Sequence, residues 1–287
     1  MQRKFSLLSA VLLILAASLA HAQPSGAAET FSKNSNSKFC DVSGDPLSRR
    51  VFEEYGAIYA ADRKVMLPTQ CIFANEEEVA AFQKTIRAMT SYVGRARIEL
   101  QEPAMQQLIN AVAEAEAVGL RITPLDGSIA GKRTYGDTGR LWNSRFHRAL
   151  EHWVRQGRID PAESDVFRWQ PFRKQAEQVL KWESADICFS TDFSRSIFAS
   201  TAPPGASQHL AMLAFDVVQY ADPRVRRILN DHGWFQTVLN DAPHFTFLGV
   251  NESDLPARGL KNIIRGGQSY WVPNMPLLYE RHTAAAK

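Results

Sequence analysis

The chain has 287 residues, 45% of them hydrophobic, with 33 basic and 30 acidic side chains and a formal net charge of +3. That supports one well-packed core with an extension. The near-balance of charge, with no basic run, excludes the electrostatic footprint of a nucleic-acid-binding protein. Three cysteines without close Cys-x-x-Cys spacing speak against a metal role for the thiols.

Residues 1–22 read as a secretory signal peptide. Arg3 and Lys4 precede an apolar stretch over 7–19, and Ala20-His21-Ala22 supplies an A-x-A cleavage site. The stretch is too short for a membrane span, so no stable span is expected after cleavage. The protein is expected to be exported, to the periplasm first and the extracellular space as the alternative. Loss of Arg3 and Lys4 leaves 31 basic against 30 acidic side chains. Residues 23–38 are polar and of low complexity, the composition of a flexible leader. In an oxidising compartment Cys40 and Cys71 are expected to pair across residues 41–70, with Cys188 left over and the other pairings open. The expected division is a signal over 1–22, a leader and helical extension over 23–95, a main domain over 96–280 and a disordered tail over 281–287 that contains His282.

Within residues 76–91, Val79, Phe82, Ile86 and Met89 recur at helical spacing behind an acidic first turn. A second helix is expected over 103–118, opened by Pro103 and stopped by Gly119. A short strand follows at 120–125, then a glycine-rich turn, then a long helix over 137–156 with Leu141, Phe146, Leu150, Trp153 and Val154 on its apolar face. His147 and His152 are five apart and do not share a face as an i, i+4 metal pair would. Asp160-Pro161 reads as an N-cap with proline at the first helical position, and its helix is expected to run towards Trp182 with a break at Pro171. Residues 188–201 look β-prone. A basic helix is expected within 222–234, with His232 near its C-terminal end, then a helix over 255–265 and an edge segment at 269–272.

The chemistry concentrates between residues 202 and 249. A turn-rich approach, Pro203-Pro204-Gly205-Ala206-Ser207-Gln208-His209, ends on a histidine. Asp216 closes the apolar run from Leu210 to Phe215, and Asp241-Ala242-Pro243-His244 sets a carboxylate three residues before a second histidine. Two imidazoles and a carboxylate are a normal ligand set for a catalytic zinc with an open fourth position. Asp216 and His244 both lie in β-prone segments, so paired strands would bring them together on one face. Pro243 pushes Ala242 towards an extended conformation, so Asp241 need not point with His244 and is free to act as a base. An unpaired buried Asp216 would cost several kcal/mol, which a metal offsets.

At Ser207-Gln208-His209, Asp216 and Asp241-Ala242-Pro243-His244-Phe245 the chain resembles the zinc D-alanyl-D-alanine carboxypeptidases and related murein endopeptidases. These include VanY-type resistance enzymes and L-alanyl-D-glutamate endolysins. The resemblance implies an α+β fold, with helices packed on a small antiparallel sheet that carries the site. It implies one zinc ion held by His209, Asp216 and His244, with Asp241 as general base. Arg133, in Gly131-Lys132-Arg133-Thr134-Tyr135, matches the family's arginine that faces the scissile carbonyl, a place suited to a fixed guanidinium. Ser207 is implied to bind the substrate's C-terminal side or to steady the His209 loop. Where the family commonly has glycine three residues after the first histidine stands Met212, expected to narrow the pocket or redirect the loop. The partners implied are peptidoglycan stem peptides, cut as by a D,D-carboxypeptidase. The alternatives are an endopeptidase, favoured by the Asp-x-Pro-His form, and a non-catalytic cell-wall-binding module on the same hedgehog-type scaffold.

Overall fold

In the computed structural model, residues 40, 42 and 44–275 are described. The expected signal segment, most of the leader and the tail with His282 lie outside them. Three short strands lie at the centre, β3 (Ala214–Asp216), β4 (Trp234–Gln236) and β5 (His244–Phe247), antiparallel in the order β3-β5-β4. Every residue in them is buried. Phe215, Phe245 and Phe247 alternate with Asp216, His244 and Thr246, so one face of these strands feeds the apolar core and the other carries the polar groups. Register sets Asp216 opposite His244 and Ala214 opposite Thr246. The expected meeting of Asp216 and His244 therefore follows from a direct cross-strand pair.

Around this sheet one core gathers α3 (Glu102–Ala117), through Met105, Leu108, Ala111 and Ala115, and α7 (Pro223–Asp231), through Val225, Ile228 and Leu229. A hairpin of β1 (Ala88–Val93) and β2 (Ala96–Gln101) adds Val93, Ile98 and Leu100. Leading in are α1 (Pro46–Tyr55), a 3-10 turn (Gly56–Ala60) and α2 (Glu76–Lys84). A second core is helical. It joins Leu47, Val51 and Tyr55 of α1 to Trp142, Phe146 and Leu150 of α4 (Tyr135–Arg155), and Val179 and Trp182 of α6 (Phe172–Glu183) close it. Between α4 and α6 lies α5 (Pro161–Arg168), capped by Asp160 as its sequence predicts. A last hairpin, β6 (Leu260–Arg265) with β7 (Gln268–Pro273), packs against α1. The architecture is thus a mixture of helices and small antiparallel sheets.

Four expectations need correction. The helix expected over 76–91 stops at Lys84, and Met89 lies in β1. The run Thr90-Ser91-Tyr92-Val93 pairs across a two-residue turn in which Gly94 has φ +59°, and that hairpin overrides the helical spacing. Residues 120–125 form only an isolated bridge, Pro124 to Val217, because proline has no N–H for a ladder. Residues 188–201 fold as turns and a short 3-10 segment, fixed by Ser190, Asp192 and Ser196 side chains bonding nearby backbone. The helix expected over 255–265 is instead one 3-10 turn (Pro256–Arg258), ended at Gly259 with φ +85°, and the strand β6.

The boundary expected near residue 95 falls in the β1–β2 turn, and the sheet core runs continuously across it. Cys40 and Cys71 are disulfide-paired with Cα atoms 5.0 Å apart, and Cys188 is free. Among the described residues no helix is long and apolar enough to cross a membrane.

Candidate metal centre

His209 sits in a one-turn 3-10 segment (Gln208–Ala211) that leads into β3. That turn ends at Met212, whose backbone is left-handed at φ +56°, ψ +33°. Such a conformation explains why glycine suits this position, since a side chain there costs about 1–2 kcal/mol. The Met212 side chain is buried in the sheet core and does not line the cavity. The expectation that Met212 narrows the pocket is corrected accordingly.

The segment delivers His209 beside the Asp216–His244 pair. The inward atoms form a triangle: His209 Nε2 to His244 Nδ1 is 3.2 Å, His244 Nδ1 to Asp216 Oδ1 is 3.2 Å, and His209 Nε2 to Asp216 Oδ1 is 3.4 Å. All three residues are buried. A four-coordinate zinc with ligands at about 2.0–2.1 Å sets neighbouring ligand atoms about 3.3 Å apart. The triangle has that size.

The outer partners decide what faces inward. His209 Nδ1 lies 2.7 Å from the Gly131 carbonyl, which can only accept, so Nδ1 carries the proton and Nε2 a lone pair. Gly131 has no side chain for a physical reason: a Cβ there would stand 2.9 Å from Ile98 Cγ2 and 3.2 Å from the Glu99 carbonyl. On the other ring, His244 Nε2 is 2.8 Å from Gln208 Oε1. The Gln208 amide is oriented by its own donation to the Tyr55 carbonyl at 2.7 Å and by the Thr246 hydroxyl, which donates to Oε1. Gln208 Oε1 therefore accepts, His244 donates from Nε2, and Nδ1 presents its lone pair. Three acceptors then face one another at 3.2–3.4 Å. That arrangement repels itself unless a cation stands among them, and such outer partners are how metal-binding histidines are held.

Charge agrees. Burial, reinforced by the Arg133 guanidinium, lowers the His209 pKa to about 4, which keeps the ring neutral. Burial alone would raise Asp216, yet its carboxyl is held well below the usual carboxylate range. Asp216 Oδ2 also accepts from Arg133 Nη2 at 2.6 Å, which leaves Oδ1 as the oxygen facing the rings. Arg133 Nε donates to the Ile129 carbonyl at 3.0 Å. The Arg133 guanidinium thus pins the acid of the triangle.

These groups open on a cavity of about 230 Å³ between the sheet and α4. Asp241 lines it, and burial pushes its carboxyl up to about 6 against the lowering influence of His244. Ser207 is half-buried on the same wall. From α4 come Thr138, Leu141 and Arg145, one face of that helix. Sequence reading missed Gln208, Tyr55 and Arg145. Gln208 lay inside the motif as its variable position, whereas nothing local marks a backbone carbonyl or a helix-face arginine. His147 and His152 stand apart from the triangle, against Trp169 and Phe193 respectively. His232 caps α7 between Gln107 and Glu114.

No family model matches the sequence, and comparison with curated proteins finds no match. Among solved structures, the chain resembles a mutant of the vancomycin resistance D,D-pentapeptidase VanY from a VanB-type resistance cassette, in complex with Zn(II). The two are 16% identical over 64% of this chain and 86% of that one, with a TM-score of 0.35. So loose a likeness assigns neither family nor chemistry.

Proposed function

We propose that this protein is an exported zinc-dependent peptidase that hydrolyses peptidoglycan stem peptides as a D,D-carboxypeptidase. What carries the metal reading is the triangle of inward lone pairs on His209, His244 and Asp216, with edges of 3.2–3.4 Å and both rings locked by outer partners. The peptide reading draws on the sequence pattern shared with the D-alanyl-D-alanine carboxypeptidases.

A zinc ion held by His209 Nε2, His244 Nδ1 and Asp216 Oδ1 supplies Lewis acidity and a water of lowered pKa when bound. The protein's own groups do the rest. Asp241, its pKa near 6, takes a proton at neutral pH and returns it to the leaving amine. Arg133, fixed by Ile129 and Asp216, offers a cation to the oxygen on which charge develops. Ser207 stands on the cavity wall within reach of a peptide backbone.

The test is a mass-spectrometric digest of defined muropeptides with and without chelator. Chelator-sensitive release of terminal D-alanine is expected. An internal cut would transfer the activity to the endopeptidase class, and zinc binding without any cut would leave a binding module.

A further inference from the structure

Arg145 has no place in the mechanism above, and its surroundings call for one. It projects from α4 into the same cavity as Asp241, Ser207 and the triangle. Its Nε is buried without a hydrogen-bond partner, and Nη1 donates only to the neighbouring Ser144 hydroxyl at 2.7 Å. Among the described residues no carboxylate lies within ion-pair distance of it, although its charge lowers the Asp241 pKa. Arg133, the other guanidinium of the cavity, is by contrast tied to Asp216 and Ile129. A buried donor left unmet costs about 1–3 kcal/mol and more when charged, so such an arrangement persists where a ligand completes it. A planar fork of donors suits a carboxylate above other groups.

We propose that Arg145 recognises a carboxylate carried by the peptide substrate next to the scissile bond, so that the site selects anionic peptides. This rests on the reading of the cavity as a peptidase site. Two sources of that carboxylate fit the chemistry: a free C-terminus, or the α-carboxylate of a γ-linked glutamate within the stem.

The experiment uses the zinc-loaded mature chain with Asp241→Asn to prevent turnover, alone and combined with Arg145→Gln or Arg145→Lys. Calorimetry measures binding of diacetyl-L-lysyl-D-alanyl-D-alanine and its C-terminal amide. A second pair is L-alanyl-γ-D-glutamyl-L-lysine amide and its isoglutamine counterpart. One pair should show a preference for the carboxylate of about 10-fold to 100-fold, and that pair names the source. Arg145→Gln should bring the ratio close to one, and Arg145→Lys, which keeps the charge but not the fork, should retain part of it. Zinc content and melting temperature equal to the parent's verify folding, and the lysine variant carries the test if the glutamine variant fails it. A preference that survives Arg145→Gln, or that is absent from both pairs, overturns the proposal, as does a change confined to the pH profile. Digestion by the wild type is read separately. Cleavage without preference sinks Arg145 alone, whereas preference without cleavage sinks the peptidase reading alone.

Discussion

On the strand side of the cavity the polar atoms are tied outward: His209 to Gly131, His244 to Gln208, Gln208 to Tyr55, and Asp216 to Arg133. On the α4 side Arg145 keeps a buried Nε with no partner. The first wall spends its hydrogen bonds on fixing three lone pairs at one point, which is how an ion is held. The second leaves donors free, which is how a transient ligand is met. Holding and meeting are thus divided between a sheet and a helix that belong to two different cores.

The sharpest way to break this contrast is His244→Ala, which removes a corner of the triangle. Zinc content after dialysis should fall to background, a larger loss than the about 10–100-fold in affinity expected from an outer partner. Next comes Asp241→Asn, which should keep the metal yet lower turnover about 10²–10⁴-fold. In the wild type kcat/KM should rise with pH as Asp241 ionises, with a midpoint at or below about 6, because burial raises this carboxyl and a nearby metal cation pulls it down. The same shift has a sign for stability. A folded-state pKa above the ordinary aspartate value means the native state binds more protons, so its contribution to stability declines as pH rises from about 4 to about 6. Metal-stripped Asp241→Asn should therefore melt above the wild type at pH 7.5 and lose that advantage near pH 4, as followed by circular dichroism.

Gln208→Ala sharpens the contrast, since it touches no ligand position but frees the His244 tautomer, along with the Tyr55 carbonyl and the Thr246 hydroxyl. Chelator competition should show zinc affinity down about 10–100-fold. Met212→Gly closes the series. Losing the buried side chain costs about 2–5 kcal/mol, more than the about 1–2 kcal/mol regained from the left-handed backbone. Denaturant titration should show a net loss with zinc stoichiometry unchanged.

The sequence made the triangle legible because its residues are rare types in a fixed order on β-prone segments, and Asp216 and His244 do meet across β3 and β5. Cap chemistry was equally readable, as at Asp160 and in the Thr134–Asp137 capping box that opens α4. What escaped was decided over long distances. Residues 76–91 carry enough helical spacing to suggest one helix, yet the pairing of 88–93 with β2 wins, and periodicity in one segment cannot report a partner elsewhere. The Tyr55 carbonyl that orients Gln208 lies 153 residues away, and a backbone group leaves no mark in sequence.

That last contact bears on when the centre can exist during synthesis. The His244 ring is oriented through a relay that begins at Tyr55, and α1, which carries Tyr55, leans on β7 near the other end of the described chain. A nascent polypeptide emerging N-terminus first holds one half of this relay long before the other. The ion-holding geometry therefore cannot be completed until β5 has emerged, and fragments ending before residue 244 lack one of its corners.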